Sequence, residues 1–534
     1  MTTNPNTRRL RDVAVLVNPE KDHVAVAKQQ IPTGTVVLWE GHGTLIVKAA
    51  IPSGHRFAVR SVPAGEWVRQ YGQPFARSQG LAPGDPITDE TVISEVPETA
   101  LEDLMLQAPT LAPWEGPLPS FAGFHRSDDN VGTRNWVLIV PASMCAAHEA
   151  QQIALRGEAT GIYTRAAYPN VDGITATVHD GGCACPDMTA ETKGIGAYEA
   201  TLRMLAQHIR HPNVGAAIIV ELGCEKTNLK AFETYFGTSD LSGLYGKPVY
   251  QLTIQELGGT QATIEKGLVL LPALLDAANE TKRRPAPLSK LALGLECGGS
   301  DAFSGLTANP ALGHASDLLV RAGGRSVIGE VPEFFGAAHL FAARAATREI
   351  ASDVFKALDW YRAYAARSGH TMEENPSPGN KEGGLLNITI KSLGAQAKSG
   401  TAPVQGVMAY GEWVWDRDAA GVYLLNTPGY DQLSVPGIIG AGCQLLCFTT
   451  GRGTVIGNAI APVIKLSSNT PLYKRMHRDI DINAGAVLTE GLSLPEMGRT
   501  IFAEILAVAS GKQAKAEING HREFALWNVE GLWL

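Results

Sequence analysis

Four short segments of this 534-residue chain combine thiol, imidazole and carboxylate side chains with glycine: His179-Asp180-Gly181-Gly182-Cys183, Gly223-Cys224-Glu225, Cys297-Gly298-Gly299-Ser300-Asp301 and Gly442-Cys443. Each follows an apolar run that reads as a β-strand. In open α/β sheets the carboxyl ends of the strands line the ligand crevice, so residues at the exits of different strands can converge. Thiolates and imidazole gathered there could bind iron or zinc, or hold a cluster through three or four sulfurs. A free cysteine is otherwise a small apolar core residue. The company of His, Glu and Asp gives the ligand reading equal standing with the core reading for Cys183, Cys224 and Cys297. Cys145, Cys185 and Cys447 read as core. No spacing is a zinc signature, since Cys183-Ala184-Cys185 is too tight for a zinc knuckle.

Two further stretches are rich in donors for anions. One is Asn375-Pro376-Ser377-Pro378-Gly379-Asn380-Lys381-Glu382-Gly383-Gly384, and the other is Thr449-Thr450-Gly451-Arg452-Gly453, which leaves a strand directly. Their backbone N–H groups, with Lys381 and Arg452, could hold a carboxylate or phosphate; the first could equally be a surface turn. Neither has the spacing of a Walker A loop or a dinucleotide fingerprint. Arg134, in Gly132-Thr133-Arg134-Asn135, is either an anion ligand or an ordinary residue of an N-terminal loop.

The elements that must position these groups fall into three regions. Residues 1–96 carry short β-type runs, Val13–Val17, His23–Ala27, Thr35–Leu38 and Thr44–Val47, separated by Pro/Gly turns, and predict a small all-β domain. Residues 97–121 hold five prolines in an irregular pattern and read as a linker. From 122 to 287 apolar runs alternate with helical patterns, Val137–Val140 before Ala142–Arg156 and Ala216–Val220 before Thr227–Phe236, which predicts parallel strands with crossover helices. Basic, proline-rich Lys282–Pro287 interrupts this pattern. A second α/β domain, 288–534, begins with a strand at Leu291–Leu295 and continues with strands at Ser326–Ile328, Val422–Leu425, Leu445–Phe448 and Val463–Leu466. Ile501, Phe502, Ile505, Val508 and Ala509 form the apolar face of a last helix, opened by Pro495.

Composition bounds the function. The chain is 45% apolar and 18% charged with a net charge of −8, which suits packed soluble domains and argues against a general grip on nucleic acid. The longest apolar stretches, such as Leu268–Leu275, fall short of the roughly 20 residues of a membrane helix. Met1–Arg11 has no apolar signal core, so the expected compartment is the cytoplasm. An odd count of 7 cysteines fits reduced thiols or metal ligands better than a disulfide framework.

Taken in order, these segments resemble the altronate/galactarate dehydratase family of sugar-acid dehydratases. The resemblance rests on Gly54-His55-Arg56-Phe57-Ala58 and Gln70-Tyr71-Gly72, then Gly132–Asn135, His179–Cys183 and Gly223–Glu225. It continues through the run Glu296-Cys297-Gly298-Gly299-Ser300-Asp301-Ala302-Phe303-Ser304-Gly305-Leu306-Thr307-Ala308-Asn309-Pro310, then Glu330-Val331-Pro332-Glu333, the Asn375–Gly384 loop, Gly440-Ala441-Gly442 and Phe448–Gly453. It spans nearly the whole chain. Glu296-Cys297, Glu330–Glu333, Asn375–Lys381 and the ending His521–Leu526 look closer to altronate dehydratases, whereas Ala302-Phe303 and Ala315–Leu319 look as much like galactarate dehydratases. Cys185 departs from the commoner pattern.

The resemblance implies a multidomain α/β protein: a β-clip, SAF-like module first and a Rossmann-like parallel sheet last. It implies a lyase that removes water from a hexonate or hexarate, converting D-altronate to 2-dehydro-3-deoxy-D-gluconate or acting on galactarate. The expected cofactor is Fe²⁺ or another divalent ion such as Mn²⁺, with a [4Fe–4S] cluster as the rival. Such a metal would stabilise the enediolate and assist the leaving hydroxyl. Its ligands would be a subset of His179, Cys183, Cys224 and Cys297, with Glu225 and Asp301 as ligands or as partners of ligands. His55 would carry protons, and Lys381 and Arg452 would hold the substrate carboxylate. Partners are a small-molecule sugar acid and further copies of the chain, as a dimer. Alternatives are a sulfolactate lyase releasing sulfite, and a sugar-acid-binding regulatory protein without turnover.

Overall fold

In the computed structural model, which describes residues 7–183 and 197–527, the first region folds as three small three-stranded sheets. The strands Ala14–Val15, Val24–Ala27, Val36–Trp39 and Gly43–Ile46 match the alternating runs of the sequence. Arg56–Ala58, Trp67–Gln70 and Gln73–Ser78 escaped that reading because polar residues interrupt their apolar pattern. Arg56 and Gln70 are nonetheless buried, hydrogen-bonded to each other through Nε and Oε1.

The following irregular segment is strapped to the rest of the molecule. The Trp114 ring lies 6.0 Å from Phe502, and Arg321 donates to the Ala112 and Pro113 carbonyls at 2.8 and 2.9 Å. Lys282–Pro287, read from sequence as a break, is mostly a strand: Arg283–Pro287 pairs antiparallel with Ser120–His125. Its prolines are tolerated because it lies at the edge of its three-stranded sheet.

The first α/β domain is built on a four-stranded parallel sheet of β1 (Trp136–Pro141), β2 (Gly173–Ala176), β3 (Val214–Glu221) and β4 (Val249–Thr253), in the order β2-β1-β3-β4. Every residue of β1 and β3 is buried, the near-continuous apolar run that a sheet covered on both faces requires. Helices α1 (Ala147–Ala159), α2 (Ala197–Arg210) and α3 (Thr260–Glu280) surround it.

The second α/β domain holds seven parallel strands: β5 (Ala292–Cys297), β6 (Arg325–Ile328), β7 (Val404–Met408), β8 (Gly421–Leu425), β9 (Leu445–Thr450), β10 (Val463–Ser467) and β11 (Ile482–Asn483). Their order is β7-β8-β6-β5-β9-β10-β11. Terminal β7 and β11 carry too little apolar pattern to be legible in sequence. The chain leaves β5 toward β6 on one side and β9 toward β10 on the other, so the order reverses between β5 and β9. That reversal opens a crevice at their carboxyl ends. Helices α4 (Ala308–Arg321), α5 (Arg348–Arg367), α6 (Ile388–Ala395), α7 (Asp431–Gly440) and α8 (Leu494–Ala509) pack around the sheet. Ser493 and Glu496 cap α8 reciprocally. Among the described residues no helix is long and apolar enough to cross a membrane.

Buried polar groups join the two α/β domains. Arg134 donates to Glu517 at 2.6 and 2.7 Å and to the Val508 and Lys512 carbonyls at 3.0 and 2.8 Å. It is therefore an interdomain staple and not an anion ligand. Asn213 does similar work, donating to the Gln444 and Ile460 carbonyls. Removing one member of a buried ion pair leaves the other without compensation. Arg134→Ala is expected to lower unfolding free energy by about 3–5 kcal/mol, measured by denaturant titration, and Arg134→Met with Glu517→Leu to cost clearly less.

Candidate active site

Successive side chains of a strand point to opposite faces of its sheet, and the last two residues of β5 use both. Glu296 accepts a 2.8 Å hydrogen bond from Ser434 of α7. Cys297 meets the turn after α6, where Lys398 Nζ lies 2.7 Å from its Sγ. Between these faces stands Glu330, just past the end of β6. Its backbone is left-handed (φ 60°), a conformation that strains a side chain of this size, and its N–H is held at 2.6 Å by Thr427 Oγ1. The turn brings Glu330 Oε2 and Glu333 Oε2 to 3.8 and 3.6 Å from the Cys297 sulfur. Lys391 of α6 pairs with Glu333 and donates to Asn375 Oδ1 at 3.0 Å. Asp431, at the start of α7, completes the group: oxygens of Glu296, Glu330 and Asp431 lie within 4.8 Å of one another.

Four carboxyl groups and a thiol thus share a buried site with two lysines. Burial pushes Glu296 up to about 8. Burial, then the charges of Glu296 and Glu333, lift Glu330 well above the carboxylate range. Burial and then Glu333 push Asp431 up to about 6. For Cys297 burial outweighs the attraction of Lys398 and pushes the thiol up to about 11. Burial works against the Lys398 charge, but Cys297 and the surrounding carboxylates together hold its ammonium above the ordinary lysine value. Lys391 is raised for the same reason, chiefly by Glu333 and Glu330. Acidic groups outnumber lysines here, and a cation could take the place of the protons that burial keeps on them; among the described residues Glu296 Oε1 is buried with no donor beyond a proton shared with Glu330.

The loops flanking this cluster are those singled out in the sequence. Asp301 accepts from Ser304 N and Oγ at 2.8 and 2.9 Å, from Ser468 Oγ at 2.7 Å and from Asn469 at 3.0 Å. Its carboxylate is saturated, so Asp301 clamps the exits of β5 and β10 and is not a free catalytic group. Arg452 N donates to Gly299 O at 2.6 Å, but its guanidinium is exposed and paired with Glu382. Lys381 is also exposed. Neither side chain joins the cluster among the described contacts; Lys391 and Lys398 supply the buried positive charge instead. His55 touches its own turn, Nδ1 lying 3.3 Å from Ser53 O. Its neighbour Arg56 crosses from the β-rich module to the Gly384 carbonyl.

The expected metal ligands divide between the two sheets. Cys297 belongs to the carboxylate cluster. His179, Cys183, Cys224 and Glu225 lie at the exits of β2 and β3. His179 is buried with Nε2 2.9 Å from Pro141 O and Nδ1 accepting from Gly181 N, so both ring nitrogens are engaged within the fold. Glu225 accepts from Ser143 Oγ and from the Leu222 and Gly223 N–H groups. Both are engaged within the fold in this structure. Cys145, read as core, is exposed and adjoins Cys183, while Cys447 is buried as expected. Cys185 lies outside the described residues. Sequence reasoning gave no role to Glu296, Glu330 and Glu333, though all three stood in quoted motifs, and passed over Lys391, Lys398 and Asp431. Lys398 sits among small residues with no motif, and only its burial identifies it.

Three family models match consecutive parts of the chain: an altronate/galactarate dehydratase SAF domain over 13–92, a D-galactarate dehydratase/altronate hydrolase second domain over 123–279, and a D-galactarate/altronate dehydratase C-terminal domain over 288–531. The chain is 32% identical to an altronate dehydratase of Bacillus subtilis, covering 95% of this chain and 97% of the relative. It is 33% identical to a galactarate dehydratase (L-threo-forming) of Escherichia coli over 97% and 95%. A (2R)-sulfolactate sulfo-lyase subunit beta of Chromohalobacter salexigens is 31% identical over 76% of this chain and 97% of its own length.

The clamp at Asp301 has a measurable signature. Asp301→Asn places an amide facing Asn469 or the serines, leaving at least one buried donor without an acceptor, and is expected to cost about 1–3 kcal/mol of stability in denaturant unfolding.

Proposed function

The chain belongs to the altronate/galactarate dehydratase family, and from that premise we propose that it eliminates water from a sugar acid, converting D-altronate to 2-dehydro-3-deoxy-D-gluconate. The observation that carries this reading is the buried group of Glu296, Cys297, Glu330, Glu333, Asp431, Lys391 and Lys398 at the carboxyl ends of β5 and β6.

Dehydration of a 2,3-dihydroxy acid removes a weakly acidic proton next to a carboxylate and expels hydroxide, a poor leaving group. Both steps are eased by positive charge and donors fixed in a dry site. Lys391 and Lys398 are the buried cations, suited to the substrate carboxylate and to the enediolate charge that grows on it. Glu333 takes the C2 proton. The Glu330 carboxyl, which burial keeps protonated, gives a proton to the C3 hydroxyl as its C–O bond breaks, and water departs. The enol product tautomerises to the 2-keto-3-deoxy acid, and Glu333 returns its proton toward Glu330 through the cluster.

The donor set also fits a divalent ion. Cys297 and Glu333 already have ammonium partners, whereas Glu296, Glu330 and Asp431 have no ion-pair partner among the described residues and Glu296 Oε1 has only Glu330 beside it. These three would hold Fe²⁺ or Mn²⁺. When bound, the ion supplies Lewis-acid polarisation of the substrate carboxylate and hydroxyl.

The choice of altronate over galactarate, and of C–O over C–S cleavage, is open to direct assay. Anaerobic incubation with D-altronate, galactarate or sulfolactate, with and without Fe²⁺, is expected to give 2-keto-3-deoxy acid from D-altronate in an iron-dependent manner. Sulfite release from sulfolactate would replace this reading, and no product from any acid would overturn it. Glu333→Gln, which keeps the shape but cannot accept the proton, should lower kcat by about 10²-fold or more while the fold is retained.

A further inference from the structure

The exits of β1, β2 and β3 present a second polar constellation that the dehydration reading does not use. Cys145, Cys183 and Cys224 are all exposed, although free cysteine is among the most buried residue types. They follow three adjacent strands, since β1 lies between β2 and β3. Hydrogen bonds tie the three loops into one surface: Met144 N to Gly181 O at 2.9 Å, Lys226 N to Cys183 O and Thr227 N to Gly182 O at 3.3 Å, and Thr227 Oγ1 to Ala142 O at 2.5 Å. The Cys183 thiol lies near enough to Cys145, Cys224 and Glu225 for each to act on it, although the three sulfurs do not all lie within 4.8 Å of one another. Gln255 Nε2 donates to the Cys224 sulfur at 3.4 Å.

The turns that present two of these thiols are built for the purpose. Gly182 and Gly223, which precede Cys183 and Cys224, have φ of 95° and 122°. A Cβ on Gly182 would stand 2.5 Å from Thr227 Oγ1, and one on Gly223 2.8 Å from Gln255 Oε1. Glu225, saturated by Ser143 and two backbone N–H groups, fixes the third loop to the first. Such rigidity is more than three unrelated surface cysteines need.

We propose that Cys145, Cys183 and Cys224 form a three-thiolate site for thiophilic metal, separate from the carboxylate cluster of the neighbouring domain. Three thiolates without a fourth protein ligand suit iron held as a sulfide-bridged cluster with one iron free of protein sulfur, and the Gln255 N–H to sulfur bond is of the kind that tunes such centres. A metal bound there would take the place of the thiol protons. Cys297, bonded to Lys398, belongs to the other cluster.

The test reads metal and absorption, independently of turnover. The full-length protein is reconstituted anaerobically with Fe²⁺ and sulfide, and in parallel with Co²⁺ alone, then desalted and analysed for metal, sulfide and sulfur-to-metal charge-transfer absorption. Charge-transfer absorption that is lost in Cys145→Ser, Cys183→Ser and Cys224→Ser, and kept in Cys297→Ser and Glu330→Gln, supports the site. Sulfide retained with iron supports the cluster form. Co²⁺ absorption with no retained sulfide supports the thiolate site but overturns that form. Absorption absent from the native protein, lost only in Cys297→Ser, or replaced by a Cys145–Cys183 disulfide in freshly reduced, metal-treated protein overturns the proposal. Circular dichroism of each variant separates loss of ligand from loss of fold.

Discussion

The structure of the second α/β domain turns on one electrostatic constraint: more acidic groups than basic ones are buried at the end of β5. Glu296, Glu330 and Glu333 are at most 3% exposed, and carboxylates are held so deep only when cations, donors or bound protons compensate them. Lys398, 1% exposed, provides part of that compensation. Its long stem reaches the Cys297 sulfur from the turn after α6, which fixes where α6 must end. Lys391 enters from the same helix, two turns earlier, to meet Glu333. The left-handed backbone at Glu330 is maintained for the same end, because it aims a third carboxylate between the two faces of β5. Helix placement, turn geometry and proton occupancy are thus consequences of that one imbalance.

That constraint extends to the β-rich module through the loop before α6. Asn375–Gly384 gives Asn375 to Lys391, Asn380 to the Ser300 N–H and the Gly384 carbonyl to Arg56. Arg56 is buried and also holds Gln70, while Tyr71 beside it has a left-handed backbone (φ 57°) and lines a small cavity with Ser300, Asp301 and Lys391. A shift of the module would therefore be felt at Asn375 and, one hydrogen bond further, at Lys391. The module is part of the wall of the site.

Much of this was legible in the residues. Alternating and continuous apolar runs located most strands of both parallel sheets, because burial of their faces leaves a pattern in the chain. Strand-exit loops rich in glycine and polar groups marked where the two polar constellations lie. Side-chain destinations were not legible. Asp301 and Lys381 are both charged residues in glycine-rich loops, and nothing in their spacing says that one is saturated by four hydrogen bonds and the other exposed. Arg134 and Lys398 were harder still. A cation in a loop or among small residues looks like surface until the packing that buries it is known, and that packing comes from segments more than a hundred residues away.

The two constellations also differ in a way that bears on what each can do. Around Cys297 the donors are mostly hard oxygens with ammonium groups among them, which suits proton transfer and stabilisation of an enediolate. The thiols of the neighbouring sheet have no lysine among their described partners and stand open to solvent, where proton transfer to carbon would gain little from a low dielectric. A sheet exit that combines soft donors, glycine turns and solvent access offers metal binding more readily than acid–base catalysis. On the proposed reading, chemistry at the carbon centre belongs to the buried cluster, whose two lysines and four carboxyl groups can exchange protons without admitting bulk water.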